Sequence, residues 1–116
     1  TPDFLQAILD KAKETGRDVS SLDTALVSGG ALFPSMRAAY SEQGIRVSQS
    51  YATADIGSIA HETWDGDTLC EGMICNEDLI VEIVRPGTDD PVAAGEVGEI
   101  VVTSFNTLVK RFHQLT

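Results

Sequence analysis

The stretch Thr24-Ala25-Leu26-Val27-Ser28-Gly29-Gly30 sets the fold expected of this chain. Its first five residues are apolar or small and include β-branched types, which suits a short buried strand. The glycine pair then breaks the strand into a turn. Pro34 suits the first position of a helix, with Met36, Ala39 and Tyr40 on one side. Gly44 suits the left-handed residue that ends it. Ile45-Arg46-Val47-Ser48-Gln49 reads as a second strand. Strand, glycine turn, helix, strand is a βαβ unit, so the two strands are expected to be parallel with a right-handed crossover.

Outward from that unit, Thr1-Pro2-Asp3 reads as a helix start: a Thr cap, Pro at the first helical position and an acid in the first turn. Phe4, Leu5, Ile8, Leu9 and Ala12 then share a face, and Gly16 closes the helix. A capped start without an initiator Met suggests a trimmed or excised segment. Downstream, residues 56–62, 79–85 and 98–104 read as strands with no helical period between them. Pro86-Gly87-Thr88-Asp89-Asp90-Pro91 and Gly95-Glu96-Val97-Gly98 are turn chemistry, and short connections favour antiparallel pairing. The expected fold is α/β: an N-terminal helix, a parallel βαβ unit, then a mainly antiparallel strand group. Residues 1–105 read as one partial domain, and residues 106–116 as a divergent tail without a pattern.

The chain has 116 residues, 42% of them hydrophobic and 6% aromatic, so an aliphatic core is expected. A formal net charge of −10 repels phosphate backbones and disfavours nucleic acid as a partner. It leaves room for a mononucleotide, which backbone N–H groups and a metal ion can hold. There is no secretory signal pattern and no apolar run of membrane-spanning length. With only two cysteines, Cys70 and Cys75, a cytoplasmic location in a reducing compartment is expected.

Two loops are candidates for chemistry. Gly29-Gly30-Ala31 follows a parallel strand, where a flat ring can lie close to a backbone that carries no Cβ. A tight turn with no ligand explains the same residues. The second loop is Gln49-Ser50-Tyr51-Ala52-Thr53-Ala54-Asp55-Ile56-Gly57. There Tyr51 offers a ring for stacking, Gln49 an amide for a base edge, and Asp55 an oxygen ligand suited to Mg²⁺. A core Tyr and a turn-capping Asp are the structural alternative. His61, Cys70 and Cys75 match no standard zinc spacing, so two core thiols and a surface His are the simpler reading. His61 and Glu62 are adjacent on a strand and point to opposite faces, which argues against an acid–base pair. Trp64 reads as the cover of a loop or strand edge.

Taken together, the two loops resemble signature regions of the AMP-forming acid–CoA ligases. In that superfamily a small-residue loop faces adenine, and a later Tyr-Gly-x-Thr/Ser-Glu motif supplies a stacking aromatic, a hydroxyl near the α-phosphate and an acid for Mg²⁺. Here the later motif reads Tyr51-Ala52-Thr53-Ala54-Asp55. Further downstream come Glu71-Gly72-Met73, Asn76-Glu77-Asp78, Ile80-Val81-Glu82-Ile83, Pro91-Val92 and Gly95-Glu96-Val97-Gly98-Glu99-Ile100-Val101-Val102-Thr103-Ser104. Their order resembles the phenylacetate–CoA ligase branch over residues 1–106.

The resemblance implies a nucleotide site made of Gly29, Gly30, Ala31, Gln49, Tyr51 and Thr53, with Asp55 as the metal residue. Asp55 stands where the family has Glu, Ala54 where it has a hydroxyl residue, and Ala52 where it has Gly. The resemblance also implies a two-step activity using ATP, Mg²⁺, a carboxylic acid and CoA, by way of an acyl-adenylate. Three family parts have no match here: a Ser/Thr/Gly-rich phosphate loop, a ribose-binding Asp and a catalytic Lys. Where the family has Arg-Phe-like residues before Thr-Gly-Asp, this chain has Arg111-Phe112-His113-Gln114-Leu115-Thr116. The expectation is therefore a ligase fragment, inactive alone and prone to self-association. The alternative is a stand-alone remnant serving as a weak nucleotide-binding or interaction module.

Overall fold

The computed structural model describes residues 1–105 and the backbone of residues 113–114. The chain divides into two compact units, Thr1–Ile74 and Cys75–Thr116.

The first unit opens with α1 (Pro2–Glu14), capped as the sequence predicts: the Thr1 hydroxyl oxygen accepts from the Phe4 N–H at 3.3 Å. Strand β1 (Thr24–Val27) and helix α2 (Pro34–Glu42) follow, with Pro34 in the first helical turn. Strand β2 (Arg46–Thr53) pairs with β1 in parallel, Ala25 opposite Val47 and Val27 opposite Gln49. The predicted parallel pair is thus present. Alternation along the strands puts Ala25, Val27 and Val47 on one face. With Leu9, Leu32, Tyr40 and Ile45 they form the core of this unit. Tyr40 is its best-buried large residue, and its hydroxyl donates to the Pro2 carbonyl oxygen at 2.8 Å. That bond pins the start of α1 to α2. Burial, then the nearby Asp3 carboxylate, pushes the Tyr40 hydroxyl above the usual tyrosine pKa.

Strand β3 (Gly57–His61) turns back against β2 as an antiparallel hairpin. The sheet is therefore mixed, in the order β1-β2-β3-β6, with β1 at one edge and the two-residue β6 (Ile74–Cys75) at the other. Between β3 and β6 lies a hairpin the sequence reading does not contain, β4 (Trp64–Asp65) with β5 (Thr68–Leu69). Its two-residue loop is Gly66-Asp67, and Gly66 has φ +57°. Left-handed residues suit such loops because their twist matches that of the flanking strands. Trp64 covers the outer face of β2, with its indole N–H donating to the Ser48 hydroxyl at 3.0 Å. The Arg46 guanidinium lies 5.6 Å from the centre of the Trp64 ring.

The second unit pairs β7 (Leu79–Val84) with β8 (Glu99–Ser104) antiparallel over their whole length, and β8 also pairs with β9 (His113–Gln114). The predicted strands 79–85 and 98–104 agree with β7 and β8 within one residue at each end. The long connection folds back on β7: Val92 N–H donates to Ile83 O at 3.0 Å and Arg85 N–H to Asp90 O at 2.8 Å. Among the predicted tail residues, 106–112 and 115–116 lie outside the described residues.

Candidate functional site

Both predicted loops start from the carboxyl end of the parallel pair, but they differ in conformation. Gly29-Gly30-Ala31 is the expected turn beyond β1. The second stretch is not a loop. β2 runs through Gln49, Ser50, Tyr51, Ala52 and Thr53, four residues beyond the predicted strand end at Gln49. The reason is its partner: β3 offers a ladder, Ser50 opposite His61, Tyr51 opposite Ala60, Ala52 opposite Ser58 and Thr53 opposite Gly57. The register slips between Tyr51 and Ala52, because β3 carries an extra residue, Ile59, opposite this point. The turn proper is Ala54-Asp55-Ile56, closed by Gly57 at φ +85°. Three-residue hairpin loops that end on a left-handed residue are a favoured class.

Within this frame the structure brings Gln49 and the glycine turn together. The Gln49 side-chain Nε2 donates to the Gly30 carbonyl oxygen at 3.4 Å, a long bond. A carbonyl only accepts, so the amide must turn its nitrogen toward Gly30 and its Oε1 away. Strand alternation puts Tyr51 on the same face as Gln49, one step of about 7 Å further along. Tyr51 is half-buried and makes interactions of its own. Thr53 and Asp55 are carried away from the glycine turn. The Thr53 hydroxyl oxygen accepts from the Ile56 N–H at 3.3 Å, and Asp55 is exposed in the turn. Among the described residues no group of three His, Cys, Asp or Glu could hold a metal ion, so Asp55 is a single carboxylate.

The two glycines have different causes. Gly29 has φ +69°, a conformation that side chains oppose. Gly30 has no such φ, and a Cβ built on it would stand 3.4 Å from the Pro2 Cδ, an ordinary contact. The chain's own packing therefore does not require glycine at position 30.

Sequence reasoning missed the most heavily bonded polar group beside the site. Arg37 NH2 donates to both carboxylate oxygens of Glu62, at 2.9 and 2.7 Å, and its NH1 donates to the Val47 carbonyl. Glu62 Oε2 also accepts from the Gln49 backbone N–H at 2.7 Å, and the Glu62 N–H donates to the Gln49 carbonyl at 2.9 Å. The signal was available: Arg37 precedes the buried Tyr40 by three residues, so it shares the inward face of α2. Glu62 is thus fully engaged while the neighbouring His61 is exposed, in keeping with their predicted opposite orientation. Cys70 and Cys75 are free thiols, but they are not the core thiols expected: Cys70 is half-buried and Cys75 is exposed.

Two cavities flank Trp64. One of about 350 Å³ lies at the amino ends of β1 and β2, with Asp23, Arg46 and Asp67 in its wall. The other, of about 550 Å³, is walled by apolar groups including Leu32, Ala38 and Leu69. Neither contains a residue of the predicted nucleotide site. Ligands of open α/β sheets gather at the carboxyl ends of the strands, which favours the Gly30–Gln49 corner. Neither comparison with protein-family models nor comparison with characterised proteins gives a match for the chain.

Proposed function

We propose that the chain carries the adenine-binding corner of an AMP-forming acid–CoA ligase of the phenylacetate–CoA ligase type. The observation that carries this reading is the contact between Gln49 and Gly30, which joins the two motifs behind the resemblance at the carboxyl end of a parallel pair. In this reading Gly29, Gly30 and Ala31 form one wall of an adenine slot and Tyr51 stacks on the ring. The Gln49 Oε1 accepts from the 6-amino group, and an oxo-purine, with an acceptor at that position, is rejected. Thr53 and Asp55 sit further along, toward the phosphates and Mg²⁺.

The reaction of such an enzyme has two steps. A carboxylate attacks the α-phosphate of ATP to give an acyl-adenylate and pyrophosphate, and the CoA thiol then displaces AMP. Mg²⁺ neutralises the phosphates in the first step. This chain's own contribution is binding and orientation of the base. Its 116 residues contain no Ser/Thr/Gly-rich phosphate loop, so the purified chain alone is expected to give no acyl-CoA from ATP, CoA and phenylacetate. Base recognition is tested directly by saturation-transfer NMR with adenosine and guanosine. Adenosine should bind and guanosine should not, and Tyr51→Ala should abolish the adenosine signal while Tyr51→Phe keeps it. Equal signals from both nucleosides, unaffected by Tyr51→Ala, would rule the reading out.

A second reading, an interaction module, is favoured by the apolar residues the first unit exposes: Phe4 at 67%, Leu26 at 64% and Phe33 at 61%.

A further inference from the structure

We infer that the Arg37–Glu62 ion pair is a positioning device for the side-chain amide of Gln49, an inference that rests, for its ligand, on the adenine reading above. The pair is largely enclosed, with 19% and 14% of the two side chains exposed, and it is bidentate on the carboxylate. A planar guanidinium held this way fixes the carboxylate in orientation as well as in place. What the carboxylate then holds is the backbone of Gln49. Its Oε2 accepts from the Gln49 N–H at 2.7 Å while the Glu62 N–H donates to the Gln49 carbonyl, so residues 49 and 62 grip each other through two hydrogen bonds. Arg37 closes the ring by holding the Val47 carbonyl, two residues earlier on the same strand.

This clamp lies two residues before Tyr51, where the β2–β3 register shifts because β3 carries an extra residue, Ile59. β1 ends at Val27, opposite Gln49, so beyond this point β2 has lost its parallel neighbour. Without the clamp, a strand held from one side only, and next to a bulge in that remaining partner at Ile59, has less to fix the direction of its side chains. With it, the Gln49 amide stays on Gly30 and its Oε1 stays aimed at an incoming donor. Helix α2 thereby sets the base-reading atom from behind, with no contact to the base.

Two variants test this. Glu62→Gln keeps the volume and removes the charge. Arg37→Lys keeps the charge but not the two-pronged grip, and guards against misfolding of the first variant. Without ligand, the two side-chain amide proton signals of Gln49 should be displaced from free-glutamine values in the wild type, because one of them is donated to Gly30, and should move to free-glutamine values in both folded variants. If they stay where they are, the positioning role is overturned. With ligand, the readout is the ratio of affinities for adenosine and purine riboside, which lacks the 6-amino group. One hydrogen bond corresponds to a preference of about three- to tenfold. Both variants should bring that ratio to about one while purine riboside binding holds. An equal loss for both nucleosides would mean a merely structural pair and would overturn the inference. Wild type binding neither nucleoside would overturn the adenine reading and the base-directed part of this inference, while the amide signals would still decide whether the clamp holds Gln49.

Discussion

Glycines 29, 30 and 98 occupy turns of similar composition, yet the structure demands glycine at only two of them. Gly29 is required by its φ of +69°. Gly98 is required by space: a Cβ there would lie 2.6 Å from the Val84 carbonyl oxygen, 2.7 Å from Ile83 Cγ2 and 2.9 Å from Val92 Cγ1. The first of these atoms is backbone and cannot move aside without breaking the β7–β8 ladder. Gly98→Ala should therefore destabilise the chain by about 1–3 kcal/mol, the usual cost of overpacking, read as a lowered denaturant midpoint. Gly30→Ala should change stability by no more than about 0.5 kcal/mol, as for a surface substitution. It should nevertheless weaken adenosine binding, because the added methyl stands on the wall against which the ring would lie. A Gly30→Ala chain that keeps full binding would remove Gly30 from the site.

At the scale of elements, β2 shows where the sequence was legible and where it was not. Its start was readable because Ile45 and Val47 alternate with polar residues, and the parallel pairing followed from the helix between the two strands. Its end was not readable, because Gln49-Ser50-Tyr51-Ala52-Thr53 has no strong apolar alternation. Those residues are extended through their pairing with β3, a contact that local pattern does not encode. The β4–β5 hairpin escaped for a related reason, since two-residue strands are too short to show a period. The same limit applied to the site: Gln49 and the glycine turn were foreseen together, but the Arg37–Glu62 clamp needs partners 25 residues apart in sequence. One element contact makes a pH prediction. Tyr40 joins α2 to the Pro2 carbonyl, and the fold favours its neutral hydroxyl, so its folded pKa lies above that of the unfolded chain. Stability from this group is then fully present below about pH 10, the unfolded tyrosine value. It is lost as pH rises from there through the folded pKa. Tyr40→Phe should cost about 1 kcal/mol at neutral pH, the net worth of one hydrogen bond. It should also flatten the decline of the denaturation midpoint above pH 10 relative to wild type, and equal declines in both chains would contradict the assignment.

At the scale of the whole molecule, charge and exposed apolar surface pull in opposite directions. A net charge of −10 opposes association. Against it stand Phe4, Leu26 and Phe33, and the position of β1 at the edge of its sheet. Open edges and clustered apolar residues find partners. Sedimentation at rising concentration should show self-association that strengthens with salt, as screening relieves the repulsion; a monomer at high micromolar concentration would contradict this. The same balance bears on nucleotide binding. In the proposed adenine reading, stacking on Tyr51 would supply roughly 1–3 kcal/mol, and the phosphate would gain few contacts. Affinity should be on the order of millimolar, or about −4 kcal/mol, with adenosine and AMP bound about equally. The most direct test is a titration of the isotope-labelled chain with both ligands, followed by NMR. The account predicts shifts at residues 28–31 and 49–51 that saturate in the millimolar range with both. Shifts confined to the cavities beside Trp64, or AMP bound far more tightly than adenosine, would contradict it.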